Sequence, residues 1–159
     1  MQYFRKREKK NGLEELIAKT KGGVMVEVGS AYGESAEIFS KHFDKVYCID
    51  VWQGITADRE AHFDEVVSRT SNVVKMKGNS TQFLDKFADE SLDFVYIDAN
   101  HSYEYVKSDI ENWKKKIKKG GFIGGHDFSY KFLGTIQAVH EHYDRPDWVF
   151  RDSSWLKQI

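Results

Sequence analysis

Short apolar runs alternate with segments of helical periodicity along this chain, and that alternation restricts the possible folds more than any other feature. The runs are apolar almost throughout, as in strands that a sheet buries on both faces. They cover Val24–Val28, Val46–Val51, Val73–Met76, Leu92–Ile97 and Phe122–Gly125. Strand–helix alternation repeated five times predicts an α/β fold, in which a mostly parallel sheet carries helices on both faces.

Further apolar patterns complete the predicted elements. The runs Trp148–Phe150 and Trp155–Ile159 follow each other without an intervening helix, which predicts a terminal hairpin and therefore a mixed sheet. The clearest helical spacing extends over Tyr103–Ile117, and the glycine pair Gly120–Gly121 would end that helix. The apolar face of Phe83–Phe87 predicts a shorter helix.

Residues that directly follow the strands are the candidates for a site, because ligands of such folds bind outside the carboxyl ends of the strands. Gly29 and Gly33 allow a tight turn after the first strand, but their G-x-x-x-G spacing is neither the dinucleotide fingerprint nor the phosphate loop. Asp50 closes the second strand, 21 residues after Gly29, where nucleotide-binding sheets hold a ribose hydroxyl. Asn79 and Ser80 follow the third strand. They could contact a ligand, cap the next helix, or do both.

Two acids follow the fourth and fifth strands. If those strands are neighbours, the ends that carry Asp98 and Asp127 lie about 4.8 Å apart. Carboxylates that close repel each other unless a proton or cation lies between them, which makes them a candidate pair of ligands for a divalent cation. The alternative is one structural acid and one acid that faces a substrate, without metal. His101 is the candidate general base, since an imidazole accepts a proton near neutral pH, and His126 is the rival.

Charge and hydropathy argue against several classes of partner. The formal net charge of -1 gives no strongly basic field for a nucleic-acid backbone. No apolar run is long enough to span a bilayer. A single cysteine, Cys48, forms no intrachain disulfide, which suits a reducing, cytoplasmic location. The length predicts one domain over residues 1–159, with a basic segment and a helix in residues 1–20.

Five sequence blocks follow the predicted strands in turn. They are E-V-G-S-A-Y-G at 27–33, I-D-V-W at 49–52, G-N-S at 78–80, Y-I-D-A-N-H-S-Y-E at 96–104 and K-K-G-G-F-I-G-G-H-D at 118–127. Together, from about residue 22 onward, the chain resembles the class I S-adenosylmethionine-dependent methyltransferases. Within that class, D-x-x-H-S-Y followed by G-G-H-D is similar to a bacterial and phage-associated subfamily related to macrolide-sugar and catechol-type O-methyltransferases.

The resemblance implies a Rossmann-like, seven-stranded sheet of order 3-2-1-4-5-7-6 with strand seven antiparallel, and S-adenosylmethionine as the cofactor. The residues implied as cofactor contacts are Glu27, Gly29, Ser30, Tyr32 and Gly33 at the methionine part, Asp50 at the ribose, Val51 and Trp52 beside the adenine, Asn79 and Ser80 at the adenine edge, and Asp98. Metal-dependent relatives bind magnesium through acids at the positions of Asp98 and Asp127.

The chain departs from the catechol-type pattern in two places. Those enzymes have D-x-x-K where this chain has Asp98-x-x-His101, and an amide after the second metal acid where this chain has Phe128. The resemblance therefore leaves the third metal ligand unidentified. The chain also lacks long inserts, so the acceptor would be bound by a partner subunit or by short loops such as Gln53–Asp58 and Phe128–Leu133.

The expected function is O-methylation of a small hydroxylated acceptor, a sugar or a polyphenol, with Asp98, His101 and Asp127 as the catalytic residues. An inactive cofactor-binding module or partner subunit is the first alternative, although mere cofactor binding needs neither His101 nor Asp127. A nicotinamide-dependent oxidoreductase is the second, and the G-x-x-x-G spacing argues against it. The sequence leaves the oligomeric state open.

Overall fold

A seven-stranded mixed sheet forms the centre of the computed structural model, which describes residues 11–53 and 57–159. The strands are β1 (Val24–Val28), β2 (Lys45–Asp50), β3 (Val73–Lys77), β4 (Leu92–Ile97), β5 (Ile117–Gly125), β6 (Trp148–Val149) and β7 (Trp155–Gln158). Their order is β3-β2-β1-β4-β5-β7-β6. The first five strands pair in parallel, whereas β7 pairs antiparallel with both β5 and β6. The predicted strand order and terminal hairpin are confirmed.

Helices cover both faces of this sheet. They are α1 (residues 11–17), α2 (Glu34–Phe39), α3 (Ala57–Arg69), α4 (Tyr103–Trp113) and α5 (Leu133–Tyr143). Apolar residues of α1, α2 and α3 pack into one core with Phe94 of β4, and those of α4 and α5 pack into a second core with Val95 on the opposite face. None of the described helices is long and apolar enough to cross a membrane. A basic segment and a helix are predicted over residues 1–20, and residues 1–10 of that range lie outside the described residues.

The helix expected over Tyr103–Ile117 ends earlier, so that prediction was wrong about its last turn. Helix α4 ends at Trp113, a short 3-10 helix covers Lys114–Lys116, and Ile117 is the first residue of β5. Ile117 is buried and pairs with β4. It is apolar because it is buried in the strand, and its spacing fits the preceding helix as well. Gly120, with φ of 80°, lies within β5 and does not end α4.

Two smaller differences concern element type and bounds. The helix predicted over Phe83–Phe87 is a 3-10 helix over Ser80–Lys86. Strand β2 ends at Asp50, and Val51 lies just beyond it, because pairing with β3 stops at Asp50 and Lys77.

Backbone hydrogen bonds extend past the strand ends and align them at one edge. Gly29 N donates to Ile49 O over 2.8 Å, and Asp98 N donates to Val28 O over 2.7 Å. The same pattern continues from Gly78 N to Asp50 O at 2.9 Å and from His126 N to Ile97 O at 3.1 Å. Each residue that follows one of these strands is therefore placed by the sheet itself.

The turn after β1 passes so close to β4 that only glycine fits at its first position. Gly29 has φ of 92°, and a Cβ built there would lie 2.3 Å from the carbonyl oxygen of Asp98. A side chain at Gly29 would thus push apart the two turns that carry Gly29 and Asp98.

We expect Gly29→Ala to destabilise the fold more than Gly120→Ala, a matched change at another positive φ. Both variants pay roughly 1–2 kcal/mol for a left-handed alanine. Only Gly29→Ala adds overpacking, roughly 1–3 kcal/mol, because a Cβ at Gly120 meets nothing within 4 Å. Urea denaturation of the two variants and the wild type measures the difference. Equal losses of unfolding free energy in both variants would contradict the close approach of β1 and β4.

Candidate functional site

A cavity of about 820 Å³ lies at the carboxyl edge of the sheet. That volume is within the range of small-molecule and cofactor sites. Its walls come from the turns after β1, β2, β3 and β4, from α4 and from Arg59 of α3. Of the sequence-predicted site residues, those that line it are Gly29, Asp50, Val51, Asn79, Ser80, Asp98 and His101.

Asp50 joins the turns after β1 and β2. Its Oδ2 accepts a hydrogen bond from Ala31 N at 2.9 Å, and its Oδ1 accepts one from Trp52 N at 3.1 Å. A carboxylate has about four lone-pair sites, so both oxygens retain capacity for a donor in the cavity. Asp50 is therefore fixed by the backbone and still able to accept from a ligand hydroxyl.

Val51 and Trp52, which follow Asp50, point to different surroundings. Val51 lines the cavity and is half-exposed. Trp52 is buried, with its Nε1 donating to Ala31 O at 2.9 Å and its ring 4.6 Å from that of Phe63. The structure thus brings Val51 to the site, whereas Trp52 supports the turn from the core.

The remaining residues of the turn after β1 hold its shape. Glu27 is fully buried and accepts a hydrogen bond from the Ser35 hydroxyl at the start of α2. Ser30 is buried as well, and Gly33 takes a positive φ of 83° just before α2. Tyr32 packs its ring edge-on against His62 with centroids 5.7 Å apart. These four predicted contacts surround the turn and do not form the cavity wall.

The turn after β3 is tied to α4 through an acid that sequence reasoning missed. Ser80 Oγ donates to Asp109 Oδ1 over 2.6 Å, and Asn79 N donates to Gln82 Oε1 over 2.9 Å. Asp109 lines the cavity, although only 7 % of its surface is exposed, and this burial raises the pKa of its carboxyl group. The available signal was its position between Val106 and Trp113, since an acid on the apolar face of a helix calls for a polar partner.

Two histidines and two acids meet at the other end of the cavity. His101 Nδ1 lies 2.8 Å from Asp127 Oδ2, and His126 Nδ1 lies 2.9 Å from Asp127 Oδ1. His126 Nδ1 is also 3.9 Å from Asp98 Oδ1. Asp127 therefore lies between both imidazoles, directly behind the His101 and Asp98 side chains that line the cavity.

The same cluster satisfies the distance requirements of a cation site. Asp98, His101 and Asp127 each offer one ligand atom, and these atoms all lie within 4.8 Å of one another. Two carboxylate oxygens and an imidazole nitrogen form a mixed ligand set that divalent cations accept. His101 is thus close enough to Asp98 and Asp127 to offer a third ligand atom to a cation.

Aromatic and aliphatic side chains lie on α4 and in residues 130–133, the segment whose Phe132 contacts His101. The Phe132 ring lies 4.7 Å from that of His101, and Tyr105 lines the cavity while remaining largely exposed. Tyr130 is 90 % exposed and Leu133 is 65 % exposed. These side chains form an open apolar rim on α4, in the loop after β5 and at the start of α5, partly within the loop that the sequence proposed for an acceptor.

Comparisons with known proteins agree with this architecture. A family model described as a methyltransferase domain matches residues 26–128. No curated protein matches the chain. Among solved structures, the chain is similar to precorrin 8W decarboxylase of Methanobacterium thermoautotrophicum, with a TM-score of 0.68 at 20 % identity over 86 % of this chain and 71 % of that one.

Two further solved structures share the fold. The apo TDP-rhamnose 3'-O-methyltransferase CalS11 of calicheamicin biosynthesis gives a TM-score of 0.70 at 15 % identity, over 94 % of this chain and 76 % of that one. Aeropyrum pernix fibrillarin, in complex with natively bound S-adenosyl-L-methionine, gives a TM-score of 0.65 at 15 % identity, over 88 % of this chain and 67 % of that one. The family match spans well over half of the sequence, and the chain accordingly belongs to the methyltransferase-domain family and is a class I S-adenosylmethionine-dependent methyltransferase.

Proposed function

We propose that this chain transfers a methyl group from S-adenosylmethionine to a hydroxyl oxygen of a small acceptor, a sugar or a polyphenol. The observation that carries the proposal is the arrangement of one cavity. An acid suited to a ribose, Asp50, lines one side, while His101 and Asp98 line the end where Asp127 contacts the imidazole. A proton-accepting group thus shares a cavity with a nucleoside-type site.

The donor and acceptor groups of the cavity fit the cofactor. Asp50 offers acceptor capacity to ribose hydroxyls, and Asn79 and Ser80 offer polar groups at the turn after β3. When bound, S-adenosylmethionine supplies a sulfonium methyl carbon that a nucleophilic oxygen can displace. The contribution of the protein is to align the acceptor oxygen with that carbon, since a fixed geometry removes much of the entropic cost of the encounter.

His101 takes the proton of the acceptor hydroxyl in this proposal. Its Nδ1 faces Asp127 Oδ2 at 2.8 Å, so Nδ1 is the protonated nitrogen that donates, and Nε2 is left to accept a proton. Once Nε2 is protonated, the neighbouring carboxylate stabilises the imidazolium. Asp127 acts by orienting the ring, and Asp98 lies beside it at the cavity wall to orient the acceptor.

A divalent cation, magnesium, is the second part of the proposal. Asp98 and Asp127 would hold it, and His101 lies close enough to be a further ligand. Such a cation would act as a Lewis acid and lower the pKa of an acceptor hydroxyl bound to it. His101 serves as ligand or as base, because an imidazole nitrogen bound to a cation does not accept a proton.

The acceptor would lie on the open rim. Phe132 contacts the His101 ring, Tyr105 lines the same cavity, and the exposed Tyr130 precedes Phe132 by two residues. Such rings stack on flat polyphenols and on the apolar faces of sugars. The deep cavity itself is left to the cofactor.

Asp50→Ala should weaken binding of S-adenosylhomocysteine by roughly 1.5–3 kcal/mol, because charge-assisted hydrogen bonds to the ribose are lost. Isothermal titration calorimetry measures the change. Asp44→Ala is the matched control, since Asp44 is exposed and precedes the same strand at the opposite edge. Thermal unfolding of both variants tests whether loss of the Ala31 and Trp52 hydrogen bonds has altered the fold. An affinity equal to that of the wild type would remove Asp50 from the site.

His101→Ala should lower turnover by about 10²–10⁴-fold, the usual loss of a general base, with little change in cofactor affinity. Turnover is measured with the most active acceptor from a screen of sugars and polyphenols. The exposed His42 provides a control variant, His42→Ala. Normal turnover in His101→Ala together with a collapse in His126→Ala would transfer the role to His126.

Chelation should abolish activity, and added magnesium should restore it. Calorimetry with magnesium alone on wild type, Asp127→Asn and His101→Ala separates the possible roles. Loss of binding in Asp127→Asn with retention in His101→Ala assigns His101 as base, whereas loss in both assigns it as a ligand. Full activity after exhaustive chelation would show that the two acids act without metal.

A further inference from the structure

A buried carboxyl group in the cavity wall has no role in the chemistry described above. Asp109 lies on α4 and lines the cavity beside the turn after β3. The His101–Asp127 pair lies beside the turns after β4 and β5. The hydrogen bond that Asp109 accepts within the described residues comes from the Ser80 hydroxyl. Only 7 % of the surface of Asp109 is exposed, and Asp109 is one of the residues that line the cavity.

One hydroxyl donor is little compensation for a buried carboxyl group. An ionised carboxylate has about four acceptor sites, and leaving them unfilled away from water is costly. The direction of the Asp109 pKa reflects that cost, since burial raises it more than the Ser80 hydrogen bond lowers it. A ligand that brings an N–H donor to this wall would remove the deficit.

We infer that Asp109 reads the adenine of the cofactor by accepting a hydrogen bond from its exocyclic amine, with Ser80 holding the carboxylate in place. The inference rests on the proposed use of this cavity for S-adenosylmethionine and adds a specificity-determining residue to it. Three features support the placement. Asp109 lines the cavity, it contacts Ser80 on the turn after β3, and Asp50 sets the ribose one strand away on β2.

A purely structural Asp109 would behave differently. If Asp109 only anchored Ser80, its replacement would change stability, or would change the affinities for an adenine and a 6-oxo purine cofactor analogue by the same factor. If it reads the amine, the preference between bases changes. A 6-oxo purine presents an acceptor where adenine presents a donor, so the carboxylate repels it, whereas an asparagine amide at the same position can donate to it.

The experiment compares calorimetric affinities of S-adenosylhomocysteine and S-inosylhomocysteine for the full chain. Wild type should prefer the adenine compound by about 10- to 100-fold, the effect of leaving one buried polar group unpaired. Asp109→Asn should bring the two affinities within about threefold of each other, because the amide still accepts from Ser80 and now donates to the 6-oxo group. Glu111→Gln, an exposed change on the same helix, is the control and should keep the wild-type ratio.

Equal affinity of wild type for the two compounds would overturn the inference, as would an unchanged ratio in Asp109→Asn. A ratio that shifts as much in Glu111→Gln would assign the effect to the helix and also overturn it. Failure of wild type to bind either compound would overturn the proposed cofactor site itself, and with it this reading of Asp109. The two failures are therefore distinguishable.

Discussion

Hydrogen bonds that run past the strand ends are the interaction on which the rest of this molecule depends. Gly29 N and Asp98 N continue the ladders of β1 with β2 and β4, so the residues that follow β1 and β4 lie at fixed positions. The absence of a side chain at Gly29 allows this, since a Cβ there would meet the backbone of Asp98. Asp98 and His101 lie in the turn after β4, whereas Asp50 ends β2 and Asp109 lies on α4.

The two ends of the cavity differ in how they satisfy their charges. At one end Asp127 contacts two imidazoles, so each carboxylate oxygen has a partner that can donate or become charged. At the other end the described residues give Asp109 one hydrogen-bond donor, the Ser80 hydroxyl. Such a division suits a site in which one end handles a proton and the other recognises a neutral base. Tyr130 and Leu133 are exposed next to Phe132, the residue that contacts the His101 ring, and would be available to the proposed acceptor.

Sequence patterns predicted the sheet well because strand burial and strand ends leave local signals. Continuous apolar runs predicted the strands, and the family resemblance implied their order. The position of Asp50, Asp98 and His101 after predicted strands indicated that they lie at one edge of the sheet. Local patterns failed where one residue suits two elements, as at Ile117, which fits the helical spacing but pairs in β5. They also failed for contacts between distant segments. Neither the burial of Trp52 against Phe63 nor the Ser80–Asp109 hydrogen bond is visible in spacing, since both depend on how helices pack over the sheet.

The most direct test of this account is a crystal structure of the chain with S-adenosylhomocysteine. The account predicts ribose hydroxyls within hydrogen-bond distance of Asp50, the adenine amine at Asp109, and the sulfur atom turned toward Asp98 and His101. A ligand bound away from Asp50, or one whose sulfur faces away from His101, would contradict it.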